Sequence, residues 1–266
     1  MATAPQIREH YDSLAFIYRT FWGDHIHHGL FTAAHESPQE AQVKMLEHCA
    51  QLAGLRGGER ILDVGCGHGG TLIHFARRNC QGTGLTLSPK QARIAAEVTA
   101  KAGLDGRLKF IVDDVDRFTF PQSEFDLVWA MESSEHFANK PRFLQNVASA
   151  LKPNGRFLLA AWTGSMQSAR VREVARVFLC PALWTAGQYS QAAETAGLRV
   201  DHCEDLTAGV VRTWEICREH ARTARAVVKL LPQAARDFVE GIDIILDAYR
   251  SGDLSYTVLA AGKPSP

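Results

Sequence analysis

Between residues 60 and 162 strand-like runs alternate with helical ones, which predicts an α/β protein on a largely parallel, doubly wound sheet. Three observations carry that expectation. Short, nearly continuous apolar runs recur at the spacing of a strand–helix repeat. The first of them, "RILDV", leads directly into a glycine-rich turn, "GCGHGG". After Trp162 the rhythm changes to helix, with two more strand-like runs before the C-terminus.

Taken in order, residues 1 to about 55 form a helical preface. "RILDVG" suits a strand buried on both faces. "GTLIHFARRN" reads as a helix with Leu72, Phe75 and Ala76 on one face. "GTGLTLS" reads as the next strand, and Ser88-Pro89 starts a helix: a capping hydroxyl followed by proline at the first helical position. That helix runs to Gly103. "LKFIVDD", "FDLVWAME" and "GRFLLAAW" continue as strands, with "KPRFLQNVASALKPNG" as a helix between the last two. Helical material follows from Met166 to Gly197 and from about Val210 to Arg250, separated by a strand at "LRVDHCEDL". A last strand is expected at "SYTVLAAGK". The expected division is a cap over 1–55, a ligand-binding core over 56–163, and sheet completion with a helical insertion over 164–266.

Composition narrows the function classes. Lys and Arg total 29 against 29 Asp and Glu, so no global field favours nucleic acid or an anionic membrane. The longest apolar runs are too short to span a bilayer. "MATAPQIREHYD" holds no apolar stretch of signal-peptide type, and six cysteines without CxxC pairs suit reduced thiols; the expected setting is cytoplasmic. The segment "RTARAVVKLLPQAARDF" mixes basic and apolar residues; it suits a buried amphipathic helix or, less well, a membrane surface. A small-molecule partner is expected, with the chain a monomer or homodimer.

The chemistry begins at the glycine turn. Gly65, Gly67 and Gly69 let the backbone turn sharply and approach a ligand without Cβ interference. The letters also satisfy GxGxxG, so a nicotinamide dinucleotide is an alternative. Two details oppose it. Asp63, just before the turn, can face an ammonium but would repel a pyrophosphate. The acid expected about twenty residues on, for ribose, is absent from "GLTLS".

"LDVGCGHGG" resembles the first motif of class I S-adenosylmethionine-dependent methyltransferases. "GLTLSPKQ", "DLVWAMESSEHF", "LKPNGRFLLAAW" and "WGDHIHHG" resemble the γ-tocopherol methyltransferase-like branch, which includes plant indole-alkaloid N-methyltransferases. The similarity runs from about Tyr11 to "VLAAGKP". It implies a Rossmann-like fold with a seven-stranded, mostly parallel sheet, an N-terminal helical cap and a helical insertion before the last strand. It also implies S-adenosyl-L-methionine as methyl donor and a small, hydrophobic or aromatic acceptor, methylated at O, N or C.

The resemblance assigns Asp63 to the methionine ammonium and the backbone of Gly65 and Gly67 to the donor's path. Thr86, Leu87 and Gln91 would hold the ribose, Gln91 by donating and accepting. Asp114 would accept from the adenine amino group with Val115 beside it; Asp113 is the alternative. Met131 would lie beside the transferred methyl or simply in the core.

Glu132 and His136 follow the fourth strand, where open α/β sheets present their clefts, and are the catalytic candidates. Histidine as a residue type titrates near neutrality, so a proton from the acceptor is expected to pass to His136. Glu135 is expected to be a solvated or capping acid. Ser134 stands where the branch carries glycine, and is expected to reshape the acceptor rim. In "FWGDHIHHG", His25, His27 and His28 invite a zinc reading. Adjacent histidines point apart, however, and no other motif completes a tetrahedral set. The resemblance makes this segment a lid, with His27 and His28 near the methionine carboxylate and acceptor and with Tyr11 and Tyr18 in the same cap, where aromatic faces favour a sulfonium. Phe178, Leu183, Trp184, Tyr189 and Trp214 are the candidates for an apolar acceptor pocket.

Overall fold

A computed structural model describes residues 3–9, 11–13, 27–33, 35–223 and 233–265. Residues 4–9 and 11–13 are helical. They are followed by α1 (Pro38–Leu52), β1 (Arg60–Val64), α2 (Gly70–Ala76), β2 (Gln81–Thr86), α3 (Pro89–Lys101), β3 (Leu108–Val112) and β4 (Phe125–Met131). A short 3₁₀ turn (Ser134–His136) leads into α4 (Lys140–Ala150) and β5 (Leu151–Gly164). Then come α5 (Ala169–Val177), α6 (Ala186–Thr195), β6 (Arg199–Asp205), α7 (Thr207–Thr223), α8 (Gln233–Arg250) and β7 (Leu254–Gly262).

The seven strands lie in the order β3-β2-β1-β4-β5-β7-β6. β1 to β5 are parallel, and β7 inserts antiparallel between β5 and β6. Strand order reverses between β1 and β4, so their C-terminal ends open a crevice at the switch point. Alternation along β4 builds the core on both faces. Leu127 and Trp129 pack with Phe75, Leu158 and Tyr256, while Val128 and Ala130 pack with Leu62, Phe143 and Phe157.

The helix expected through residue 155 stops at Ala150, and β5 begins at Leu151. Pro153 disfavours helical backbone at Lys152 and cannot donate to a helix. The helical stretch from Met166 to Gly197 is two helices, broken where Leu179 adopts a left-handed φ of 56° before Pro181. Among the described residues no helix is long and apolar enough to cross a membrane. Residues 224–232, the middle of the basic-apolar segment, lie outside those described.

Candidate active site

One cleft of about 1450 Å³, open mouth included, runs from the glycine turn across the end of β4 to the C-terminal helices.

Gly65, Gly67 and Gly69 all hold positive φ, at 86°, 52° and 78°. At Gly65 the backbone is also crowded, since a Cβ there would come within 2.2 Å of Ser133 Cβ. Ser133 Oγ in turn donates to the Val64 carbonyl at 2.6 Å. Asp63 is buried one residue behind the cleft wall. Its Oδ2 has no partner among the described residues, and burial pushes its carboxyl up to about 7. A cation at that oxygen would relieve the cost of burying it. The residues present therefore fit a ligand carrying an ammonium.

Thr86, Leu87 and Gln91 line the same wall. Thr86 Oγ1 donates to Gln91 Oε1 at 2.7 Å, so the amide oxygen is already engaged. Gln91 can still donate from Nε2 and accept through the second lone pair of Oε1. Asp113, Asp114 and Val115 also line the cleft. Asp113 Oδ1 accepts from Asp114 N–H at 2.7 Å, and Asp114 Oδ1 accepts from Asp116 N–H at 3.0 Å. Each carboxyl thus keeps one oxygen out of these bonds. Ser88 Oγ donates to Asp12, docking the N-terminal helix over this wall.

At the junction, Met131 ends β4 and is 8% exposed. Glu132 adopts a left-handed φ of 49°, which a non-glycine residue holds only under surrounding constraint. The constraint is visible. Its carboxylate accepts from His28 N–H (2.7 Å), His28 Nδ1–H (2.8 Å) and Tyr256 O–H (2.8 Å). Burial works to raise this carboxyl, but the contacts with His28 more than offset it and hold it below the usual carboxylate range. Trp214 Nε1–H donates to His28 Nε2 at 2.6 Å. Indole nitrogen only donates, so His28 Nε2 is the acceptor in this contact.

His136 Nδ1–H donates to the Leu179 carbonyl at 3.3 Å, leaving Nε2 to accept from Tyr11 O–H at 2.7 Å. The two rings meet edge to face, with centroids 5.4 Å apart. His27 lines the cleft too; its Nδ1–H donates to the His28 carbonyl, and burial lowers its pKa. Tyr18 and His25 lie outside the described residues. Among the described residues no group of three or more His, Cys, Asp or Glu could hold a metal.

The far half of the cleft is aromatic. Phe178 and Trp214 line it as expected, joined by Trp162 and Phe238, which sequence reasoning missed. Trp162 packs edge-on against Phe178 at 5.2 Å, and Phe178 against Trp214 at 5.5 Å and Phe238 at 5.9 Å. Leu183, Trp184 and Tyr189 do not line it. Trp184 and Tyr189 pack together on the opposite face of the sheet, where Ser134 Oγ bonds Tyr189 Oη at 2.8 Å. Ser134 is therefore buried away from the rim. Glu135 is not a solvated acid: it is 2% exposed and lines the cleft. Its Oε1 accepts from Trp162 N–H at 2.7 Å, completing the edge of β5 where β4 has turned away. Glu135 Oε2 and Trp162 Nε1 have no partner among the described residues.

Known proteins resemble this chain in sequence and in fold. The chain is 29% identical over 274 residues to 27-O-demethylrifamycin SV methyltransferase of Amycolatopsis mediterranei, covering 98% of each. It is 27% identical over 284 residues to the chloroplastic tocopherol O-methyltransferase of Arabidopsis thaliana, covering 97% of this chain and 82% of the relative. Among solved structures, the [4+2]-cyclase SpnF superposes with a TM-score of 0.86 at 25% identity over 99% of this chain and 98% of that one. The mycolic acid cyclopropane synthase CmaA1, complexed with SAH and CTAB, gives 0.87 at 20% identity over 98% of each. Residues 2–239 match the family model described as mycolic acid cyclopropane synthetase. The chain belongs to that family and is an S-adenosylmethionine-dependent methyltransferase of class I.

Proposed function

We propose that this cleft methylates a small hydrophobic acceptor held between His136 and the cluster of Trp162, Phe178, Trp214 and Phe238. The observation that carries this reading is the continuity of one cavity from the glycine turn to those rings. The names of the tocopherol and rifamycin relatives, both methyltransferases of small molecules, are in keeping with it. In this reading Asp63 pairs with the donor's ammonium, Gly65 and Gly67 line its path, and Thr86, Leu87 and Gln91 meet the ribose. Asp114 and Val115 meet the adenine, and Met131, Tyr11, Tyr18 and His27 close over the methionine end.

The bound donor supplies a methyl group already activated on a sulfonium, so much of the protein's task is positioning. His136 Nε2 takes the acceptor's proton, and Tyr11 O–H must first give up its bond to that nitrogen. With three donors on its carboxylate, Glu132 acts as a positioning residue that holds residues 27 and 28 over the cleft. Residues 1–55 serve as cap, 56–163 as donor core and 164–266 as acceptor wall. The protein works in the cytoplasm as a monomer or homodimer, without nucleic acid. An acceptor screen with labelled donor tests the central claim: label should enter apolar phenols, alcohols or amines. Transfer confined to strongly polar acceptors would refute it.

A further inference from the structure

α8 carries a glycine in its interior, where glycine weakens a helix relative to alanine. The backbone at Gly241 is not left-handed, so its conformation does not call for glycine. The space around it does. A Cβ on Gly241 would lie 2.7 Å from Val177 Cγ1, 3.1 Å from Phe178 Cζ and 3.2 Å from Phe178 Cε2. α8 is thus seated against the end of α5 and against one of the rings that line the far half of the cleft.

Phe178 has one direction in which to yield. Its backbone is pinned: Phe178 N–H donates to the Val174 carbonyl at 3.0 Å and Cys180 N–H to the Ala175 carbonyl at 2.8 Å. The Leu179 carbonyl between them accepts from His136 Nδ1–H at 3.3 Å. Trp162, Trp214 and Phe238 flank the ring, with centroids 5.2, 5.5 and 5.9 Å away. α8 is held in place as well, because its residues Ile242, Ile245 and Leu246 are at most 3% exposed. The open side of the ring is the cleft. Turning one ring into open space costs less than unpacking a helix, so a side chain at position 241 would drive Phe178 into the acceptor half.

We propose that Gly241 sets the width of the acceptor half through Phe178, and so limits the size of acceptor without touching it. This role rests on the reading of that half as the acceptor site. The test is calorimetry on the intact protein saturated with S-adenosylhomocysteine, with phenol and 2-naphthol as probes. In the wild type 2-naphthol should bind tighter, since it buries more apolar area. Gly241→Ala should weaken 2-naphthol by about tenfold, the low end of what one excess methylene costs in an apolar pocket, and change phenol by less than about twofold. In a Phe178→Leu background, where the smaller side chain has room to give, adding Gly241→Ala should cost 2-naphthol less than about twofold. A merely structural effect would weaken both probes alike, and that result overturns the proposal. So does 2-naphthol binding that is unchanged or tighter in Gly241→Ala, or a loss that persists in the Phe178→Leu background. Should Gly241→Ala not fold, Val177→Ala is compared with Val177→Ala/Gly241→Ala, in which the nearest methyl is gone and only the Phe178 ring must move. The same size-selective loss is expected there, and equal binding overturns the proposal. S-adenosylhomocysteine binding is recorded first on each sample and should differ by less than about twofold. Wild-type protein that binds it but neither probe counts against the acceptor site and the role of Gly241 together, whereas probe binding indifferent to Gly241→Ala counts against Gly241 only.

Discussion

Asp63 makes the donor site sensitive to pH. Its carboxyl titrates at about 7 in the fold, against about 3.9 in an unfolded chain. Between those values the native state binds more protons than the unfolded one, so stability without donor declines as pH rises through that window. Glu135, raised to about 8, acts in the same direction and extends the decline. An ammonium bound at Asp63 favours the charged form. Affinity for S-adenosylhomocysteine should therefore rise with pH up to about 7 and then level off. Asp63→Asn should weaken binding and flatten that part of the profile. A wild-type affinity that does not change with pH would count against Asp63 as the ammonium's partner. At Gln91, whose oxygen is held by Thr86, replacement by alanine should cost donor binding about 1–2 kcal/mol by calorimetry. His136→Ala should lower turnover at saturating donor and acceptor by at least about tenfold and remove the ascending limb of the pH profile near neutrality. Tyr11→Phe should cost less, because it leaves the Nε2 lone pair in place. Wild-type turnover with an unchanged pH profile in His136→Ala would leave positioning as the main mechanism.

Among the elements, the segment at 27–31 is the one most dependent on distant partners. Beyond its bonds to Glu132, Gly29 N–H donates to Thr213 Oγ1 at 3.0 Å and Phe31 N–H to the Gly209 carbonyl at 2.9 Å. Glu132→Ala would leave two donors of His28 and the Tyr256 hydroxyl without an acceptor, at about 1–3 kcal/mol for each that stays buried. Thermal unfolding should show a clear loss of stability, larger than for Glu132→Gln, which retains one acceptor oxygen. Equal stability of all three proteins would mean that water replaces the carboxylate. The sequence made all seven strands legible, because period and glycine placement are local. It did not show that Glu135 is buried, since its partner is the backbone of Trp162 in another strand. The aromatic candidates were divided correctly only in part. Tyr189 and Trp184 carry the same apolar signal as Phe178, and which face of the sheet they cover depends on the break at Leu179.

For the whole molecule, the doubly wound sheet and the place of the cleft were legible from the α/β rhythm and the glycine turn, and the strand order, with β7 inserted antiparallel between β5 and β6, was not. The apolar run of β7, "YTVLAAG", reads the same in either direction. The histidines at 25, 27 and 28 should carry no metal: elemental analysis of untagged protein should find no stoichiometric zinc, and chelators should leave turnover intact. Activity lost on chelation and restored by a metal would reverse that assignment.

The contact between Gly65 and Ser133 has a consequence for how such a protein can diversify. Ser133 is tied to Val64, Ser134 to Tyr189, Glu135 to Trp162, and the loop beyond to Lys140. A change of side chain in this stretch is transmitted straight to the turn beneath the donor, where there is no space for even one added methyl group. Descendants that adopt new acceptors would therefore accumulate their differences in α5, α7 and α8 and in the N-terminal helix. Those elements can shift against the sheet while the turn and its loop stay fixed, so a lineage can change what it methylates and keep the same methyl source.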